Sequence, residues 1–189
     1  ILISSLGTRI HYGQSLTEDG YWADHVDHDW SGQRVLRILG KVPGLKIQSK
    51  TEQTPFKRSY YYDPDIAPTT EEIVSLLRQK DITANVMLSF GQFLDVVPSR
   101  ASKGQAIRYV SQRLDIPLEQ TLVAGGSGAD EDMMRGNTLA VVVGNRHNEE
   151  LSQLVDQERI YFAGLDHAPG ILEAIDHYDF FNACTVPED

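Results

Sequence analysis

A glycine-rich loop at residues 125–128 (Gly-Gly-Ser-Gly) stands between a short apolar run and an acidic stretch that begins at Asp130. The run at 121–124 has the length of a buried strand, and the acidic stretch suits the first turn of a helix. In an open α/β sheet, ligands bind beyond the carboxyl ends of the strands. The backbone N–H groups of such a loop can approach an anion. A tight turn whose acids only cap the helix accounts for the same residues, so both interpretations stay open.

The segments around this loop alternate between strand and helix patterns. A continuous apolar, β-branched run at 139–143 predicts a strand covered on both faces, and 160–162 predicts another strand. Helical patterns occupy 102–114, 149–154 and 169–177. This alternation is typical of a parallel sheet covered by helices.

The part before residue 99 mixes strands and helices without that alternation. Residues 2–10 predict two strands joined by a turn, and 18–39 predict two helices or one interrupted near 31–32. A strand at 57–62, a helix at 69–80 and strands at 84–88 and 93–97 follow. We therefore predict a core strand and hairpin at 1–17, an α+β domain at 18–98 and an α/β part at 99–189.

Composition limits the partners of the chain. Its 189 residues are 41% hydrophobic and 23% charged, which suits a globular domain with a real core. A formal net charge of −10 argues against nucleic acid and anionic membranes as partners. No apolar run approaches the roughly 20 residues that cross a bilayer. The single cysteine, Cys184, excludes an internal disulfide and favours a reducing, cytoplasmic location.

Lys103 and Asp130 are the residues that could carry chemistry. Asp130, with Glu131 and Asp132 close by, offers oxygen ligands of the kind that Mg²⁺ binds. Lys103 begins a predicted helix upstream, where its charge would neutralise a phosphate beside acidic groups. A solvated surface lysine is the simpler explanation of Lys103 taken alone.

The two patterns together carry a resemblance to a known family. Lys-Gly at 103–104, followed by Gly-x-Ser-Gly-x-Asp at 125–130, resembles motifs three and four of the haloacid dehalogenase superfamily. With Leu-Asp-Val-Val-Pro at 94–98, Lys-Gly-Gln-Ala at 103–106 and the opening strand at 3–10, the chain is similar to the sucrose-phosphate phosphatase family. The resemblance extends from residue 1 to about residue 181.

The resemblance implies an α/β fold: a haloacid-dehalogenase-like Rossmannoid parallel sheet, present as a partial core, with an α+β cap. It also implies a Mg²⁺-dependent enzyme in which an aspartate takes the phosphoryl group from sucrose 6-phosphate. The implied catalytic residues are Lys103 and Asp130, with Asp130 as the metal ligand. The implied substrate-binding residues are Lys57, Ser59, Ser89, Gly91, Gln92 and Ser127.

Two departures from the family pattern bear on activity. The nucleophile motif Asp-x-Asp should precede the cap, and the chain begins after that point. Gly126 and Ala129 stand where the family has aspartate and asparagine. We therefore predict a phosphatase-like domain of a sucrose-phosphate synthase, without phosphatase activity, that binds sucrose 6-phosphate or sucrose and accompanies a glycosyltransferase domain of the same polypeptide. The alternative is an active Mg²⁺-dependent phosphatase whose Asp-x-Asp motif lies before residue 1.

Overall fold

The structure is a computed structural model that describes residues 1–155 and 158–183. It comprises two compact units, Ile1–Ile107 and Arg108–Asp189. The boundary falls inside helix α4 (Lys103–Leu114). The predicted division into 1–17, 18–98 and 99–189 remains a prediction, and Cys184 lies outside the described residues.

The first unit alternates short strands and helices before α4. Its elements are β1 (Leu2–Ser4), β2 (Arg9–Tyr12), β3 (Thr17–Glu18), α1 (Gly20–Asp27), α2 (Gly32–Leu39), β4 (Leu45–Ile47), β5 (Arg58–Tyr62), α3 (Thr70–Arg78), β6 (Ala84–Ser89) and β7 (Phe93–Pro98). The second unit contains β8 (Leu122–Gly125), α5 (Glu131–Met134), β9 (Leu139–Val142), β10 (Ile160–Phe162), α6 (His167–His177) and α7 (Phe180–Ala183). The predicted pair of helices in 18–39 is confirmed, with the break at 28–31.

An antiparallel sheet in the order β4-β5-β7-β6 forms the larger part of the first unit. Because side chains alternate between the faces of a strand, one face supplies Tyr60, Leu94 and Val96 to a buried core. Helices α2 and α3 cover that face with apolar residues, including Val35, Leu39, Ile73 and Leu77. Helix α3 begins with a capping box: the Thr69 hydroxyl accepts from Glu72 N, and the Glu72 carboxylate accepts from Thr69 N.

A second antiparallel sheet, β1-β2-β3, contains the predicted N-terminal hairpin. The turn between β1 and β2 places Gly7 at φ +82°, a conformation that glycine adopts readily and other residues do not. The buried Trp22 of α1 donates its indole N–H to Gly7 O over 3.0 Å. Trp22 is therefore a core residue that joins α1 to this turn.

The second unit is built on the parallel sheet β10-β9-β8, as the alternation of patterns predicts. Its central strand, β9, contains Ala140, Val141 and Val142, none of which is exposed to solvent. The helix predicted at 149–154 is wrong, because this segment consists of successive turns. Its apolar spacing reflects the burial of Leu151 and Leu154, which the turns achieve without a helix.

None of the described helices combines the length and apolar character that crossing a bilayer requires.

We predict that Gly7→Ala destabilises the complete protein that contains this chain far more than Gly13→Ala. Both glycines have positive φ, so each substitution costs about 1–2 kcal/mol of backbone strain. A Cβ at Gly7 would stand 2.1 Å from Ser102 O, whereas at Gly13 the nearest atom is 4.0 Å away. Overpacking should add about 1–3 kcal/mol at Gly7 only. Denaturant unfolding measures the difference, and equal losses of stability would contradict it.

Candidate functional site

The glycine-rich loop follows β8 and closes on the side chain of Asp130. The Oδ2 atom of Asp130 accepts hydrogen bonds from Gly126 N, Ser127 N and the Ser127 hydroxyl, each 3.0 Å long. Asp130 N donates in turn to Ser127 O over 2.9 Å. Both side chains are largely buried, with 8% of Asp130 and 7% of Ser127 exposed. The loop is therefore a closed turn held by an internal carboxylate.

A second carboxylate reaches the loop from the segment after β9. Gly128 N donates to Glu150 Oε2 over 2.7 Å. Three successive amides, at 126–128, thus point at acidic oxygens of this chain. In this structure the loop amides donate to the carboxylates of Asp130 and Glu150, as the interpretation of a tight turn with its own acids expects.

Both glycines that begin the loop are constrained by their neighbours. A Cβ at Gly125 would stand 2.5 Å from the carboxyl carbon of Asp130. A Cβ at Gly126 would stand 3.1 Å from a methyl group of Val143 and 3.4 Å from Arg146 Cα. Position 125 therefore requires glycine for Asp130 to bind the loop, whereas position 126 would accept a side chain after a small movement of Val143.

The residues present do not complete a magnesium site by themselves. Glu131 accepts from Arg135 Nε over 3.0 Å, and Asp132 lies 4.0 Å from an Arg108 guanidinium nitrogen. Neither acid therefore replaces the carboxylate that Gly126 lacks. Among the described residues, no three His, Cys, Asp or Glu side chains form a group that could hold a metal ion. Asp130 remains the one predicted metal ligand of this loop.

Arg146 lies in the segment between β9 and β10. Its guanidinium carbon lies 5.1 Å from the centre of the Phe162 ring, a cation–π arrangement. This contact gives Arg146 a structural partner within the second unit.

Lys103 is the first residue of α4, as predicted. The helix start is capped by Ser102, whose hydroxyl accepts from Gln105 N over 3.1 Å. Lys103 belongs to the first unit, and Ser127 and Asp130 belong to the second. The joint catalytic role of Lys103 and Asp130 remains a prediction.

The sheet of the first unit carries a polar cluster around the predicted substrate residues Lys57 and Ser59. Lys57 Nζ lies 3.7 Å from Asp95 Oδ1 and 4.0 Å from Glu52 Oε2. The Ser59 hydroxyl donates to Asp95 Oδ1. The Lys57 and Asp95 side chains are only 13% and 14% exposed, so this ammonium–carboxylate pair is screened less than a surface pair.

The register of the sheet places Ser89 on the face that carries this cluster. Ser59 pairs with Asp95, and Tyr61 pairs with Phe93, two residues further along. Ser89 also pairs with Phe93 on the opposite side of β7. Residues directly opposite or two apart share a face.

Gly91 and Gln92 lie in the turn between β6 and β7 instead. Gly91 adopts φ +64° there, and Gln92 O accepts from Tyr62 N over 2.7 Å. The predicted substrate residues of this unit therefore divide between the sheet face and its turn, and their contacts with a sugar remain a prediction.

Asp95 and Glu52 also belong to the cluster, although the sequence patterns do not predict either as a substrate-binding residue. One signal was available for Asp95, since a single acid interrupts the apolar run Leu-Asp-Val-Val at 94–97. A charged residue there must find a partner when the strand is buried. Glu52 comes from the 3₁₀ turn Lys50–Glu52, and nothing in its local sequence distinguishes it.

The opposite face of β5 packs against the apolar core, and burial there shifts the pKa of Tyr60 and Arg58. Burial raises the pKa of the Tyr60 hydroxyl to about 12, although the charge of Arg58 opposes the rise. Burial lowers the pKa of the Arg58 guanidinium. Tyr60 therefore stays a neutral hydroxyl at physiological pH.

The first unit also contains a cleft of about 570 Å³ apart from the polar cluster. Trp30 contributes to its wall, and its indole N–H donates to Pro55 O over 2.9 Å. None of the predicted substrate residues lines this cleft.

The antiparallel sheet with its two covering helices, the parallel sheet and the loop closed by Asp130 define the class of protein. This is the haloacid-dehalogenase-like α/β fold, as the sequence resemblance predicts.

The family is narrower than the fold. Residues 1–179 match the model of the sucrose-6F-phosphate phosphohydrolase family, and the chain belongs to this family. Its structure is similar to that of the sucrose-phosphatase from Synechocystis sp. PCC6803 in complex with sucrose and phosphate, with a TM-score of 0.85 and 35% identity over 92% of this chain and 72% of that one.

Two curated relatives show the same similarity in sequence. Sucrose-phosphatase 1 of Nicotiana tabacum is 32% identical over 100% of this chain and 46% of its own length. Mannosylfructose-phosphate phosphatase of Agrobacterium fabrum (strain C58 / ATCC 33970) is 25% identical over 94% of this chain and 72% of its own. The chain thus spans about half the length of the curated sucrose-phosphatase of Nicotiana tabacum.

We predict that Gly125→Ala disrupts the loop and that Gly126→Ala does not. The methyl group at 125 would displace the Asp130 carboxylate and leave buried N–H groups of the loop without acceptors, at a cost of about 1–3 kcal/mol. At 126 only a methyl group of Val143 must move. Thermal unfolding of the two variants of the complete protein tests this prediction, which fails if Gly126→Ala is the less stable of the two.

Proposed function

We propose that this chain is the sugar-recognising and loop-bearing part of a phosphatase that releases phosphate from sucrose 6-phosphate. The polar cluster of Lys57, Ser59, Asp95 and Glu52 carries the proposal. It presents an ammonium group, a hydroxyl and two carboxylates on one face of a sheet, and sugar hydroxyls pair with such donors and acceptors. Membership in the sucrose-6F-phosphate phosphohydrolase family supports the same function, as does the sucrose and phosphate bound to the Synechocystis relative.

The proposed chemistry needs a carboxylate nucleophile from outside this chain. An aspartate would attack phosphorus and break the bond to the sugar oxygen, a second acid would protonate that oxygen, and water would then release phosphate. The Asp-x-Asp strings of this chain lie at 27–29, 63–65 and 130–132. The first is the end of α1, the second a turn after β5 and the third the start of α5. None follows a strand of a parallel sheet directly.

The proposed metal site would likewise be shared between this chain and the segment that supplies the nucleophile. Phosphatases of this superfamily generally use Mg²⁺, and Asp130 is the residue of this chain that would help to hold it. Further oxygen ligands would have to come from the segment that supplies the nucleophile.

A second candidate function is sugar-phosphate binding without hydrolysis, in a domain attached to a glycosyltransferase of sucrose-phosphate synthesis. The observation that favours it is the loop itself. Gly126 lacks the carboxylate of the family pattern, and Glu131 and Asp132 are engaged with arginines. A cytoplasmic location remains a prediction for either function.

The activity of the complete protein separates the two functions. We expect it to release inorganic phosphate from sucrose 6-phosphate in the presence of Mg²⁺, and we expect Gly126→Asp to release it at least as fast. The phosphate ester of mannosylfructose serves as the competing substrate, given the Agrobacterium relative. Absence of turnover in both the natural protein and Gly126→Asp would reject the phosphatase. Calorimetric binding of sucrose 6-phosphate to that inactive protein would then support the second function.

We also predict that Lys57→Ala weakens sucrose 6-phosphate binding without removing the chemistry. Loss of one charged hydrogen bond costs about 1.5 kcal/mol, which corresponds to a rise of about tenfold in KM. The matched control is Lys41→Ala, since Lys41 is exposed and follows α2. Steady-state kinetics decide, or calorimetry if the protein has no turnover. A KM or Kd unchanged by Lys57→Ala would remove Lys57 from the sugar site.

A further inference from the structure

The segment after β9, residues 143–150, touches the glycine-rich loop at three points. We call it the clamp segment. Val143 N donates to Gly125 O over 3.1 Å, and His147 N donates to Gly126 O over 2.7 Å. The third contact is the bond of 2.7 Å from Gly128 N to Glu150 Oε2. The first two contacts use the backbone of the clamp segment, so only the third depends on a particular side chain.

Glu150 is placed unusually for a glutamate in a loop. Only 7% of its side chain is exposed, and its Oε1 atom lies 3.6 Å from His147 Nδ1. Burying a carboxylate is costly unless hydrogen bonds replace its water, and a bond from a backbone amide to a charged acceptor is among the stronger ones. The hydrogen bond from Gly128 N therefore offsets part of the cost of desolvating Glu150.

The Gly128 amide lies in the turn that contains Asp130 and follows Ser127. Gly128 begins the 3₁₀ turn Gly128–Asp130, which Ser127 precedes and Asp130 completes. Asp130 binds the first half of the loop through Gly126 N and Ser127 N. Glu150 binds the second half, so together the two carboxylates fix both ends of the Ser127–Gly128 peptide.

We propose that Glu150 is a positioning residue of the loop: by binding the Gly128 amide it fixes the orientation of Ser127 and Asp130 within the loop. The proposal rests on the proposed function for its effect on turnover, whereas its structural half concerns the loop alone. Glu150→Ala removes the acceptor. Glu150→Gln keeps an oxygen acceptor at the same reach but removes the charge. The adjacent exposed Glu149 gives the matched control Glu149→Ala.

The first measurement is amide hydrogen exchange at Gly128 in the complete protein, which needs no activity. Glu150→Ala should speed exchange there by at least about tenfold, while the amides of β9 keep their protection, because only the local opening becomes easier. Glu150→Gln should remain within about threefold of the natural protein. Unchanged exchange at Gly128 in Glu150→Ala would overturn the proposal.

The second measurement is the kinetics of phosphate release from sucrose 6-phosphate. Glu150→Ala should lower kcat by about tenfold with KM changed little, because a displaced reacting group affects the chemical step more than sugar binding. Glu150→Gln should restore most of kcat, and Glu149→Ala should match the natural protein. A loss of folded protein alone, with kcat per folded molecule intact, would overturn the positioning role, and so would a Glu150→Gln variant as slow as Glu150→Ala. If no variant has turnover, the phosphatase proposal fails, and exchange at Gly128 still decides whether Glu150 fixes the loop.

Discussion

The glycine-rich loop of the second unit depends on one buried carboxylate, that of Asp130. Asp130 Oδ2 accepts from two backbone amides and one hydroxyl of residues 126–127. This arrangement explains why Gly125 has no side chain, since any Cβ there would occupy the position of that carboxylate. It also explains the serine at 127, whose hydroxyl completes the set of donors. A largely buried acid is tolerated because hydrogen bonds replace its water.

The residues that shape the loop can therefore be distinguished from those that carry the chemistry of its family. Gly125, Ser127 and Asp130 are needed to build the turn, whether or not a metal binds. A carboxylate at 126 would serve the metal alone, because the Gly126 backbone already makes the hydrogen bonds that hold the turn. Gly126 can therefore replace an acid without loss of the fold. The family pattern of the loop is evidence of ancestry, and by itself it does not establish catalysis.

In the first unit, the alternation of side chains along β5 and β7 separates an apolar face from a polar face. One face of β5 and β7 supplies Tyr60, Leu94 and Val96 to the core beneath α2 and α3. The other face is left for Ser59 and Asp95, which meet Lys57 and Glu52. Because side-chain direction reverses at every residue, one strand can contribute to the core and to a polar surface at once. A shift of one residue in register would bury the charges and expose the core.

The sequence by itself determined the class of fold and the position of the loop. Apolar β-branched runs and helical periodicity are local properties, so they predict the parallel sheet of 122–162 and the helices α1 to α4. The family resemblance rests on short motifs instead, chiefly those at 103–106 and 125–130. Local patterns failed at 149–154, where apolar spacing arose from burial in turns. Only the tertiary structure revealed that the loop amides bind Asp130 and Glu150, and that Asp95 and Glu52 join Lys57 and Ser59. These contacts connect residues up to 38 positions apart, as between Lys57 and Asp95. No local periodicity records which distant side chains meet, because that depends on strand register and on the path of the chain between them.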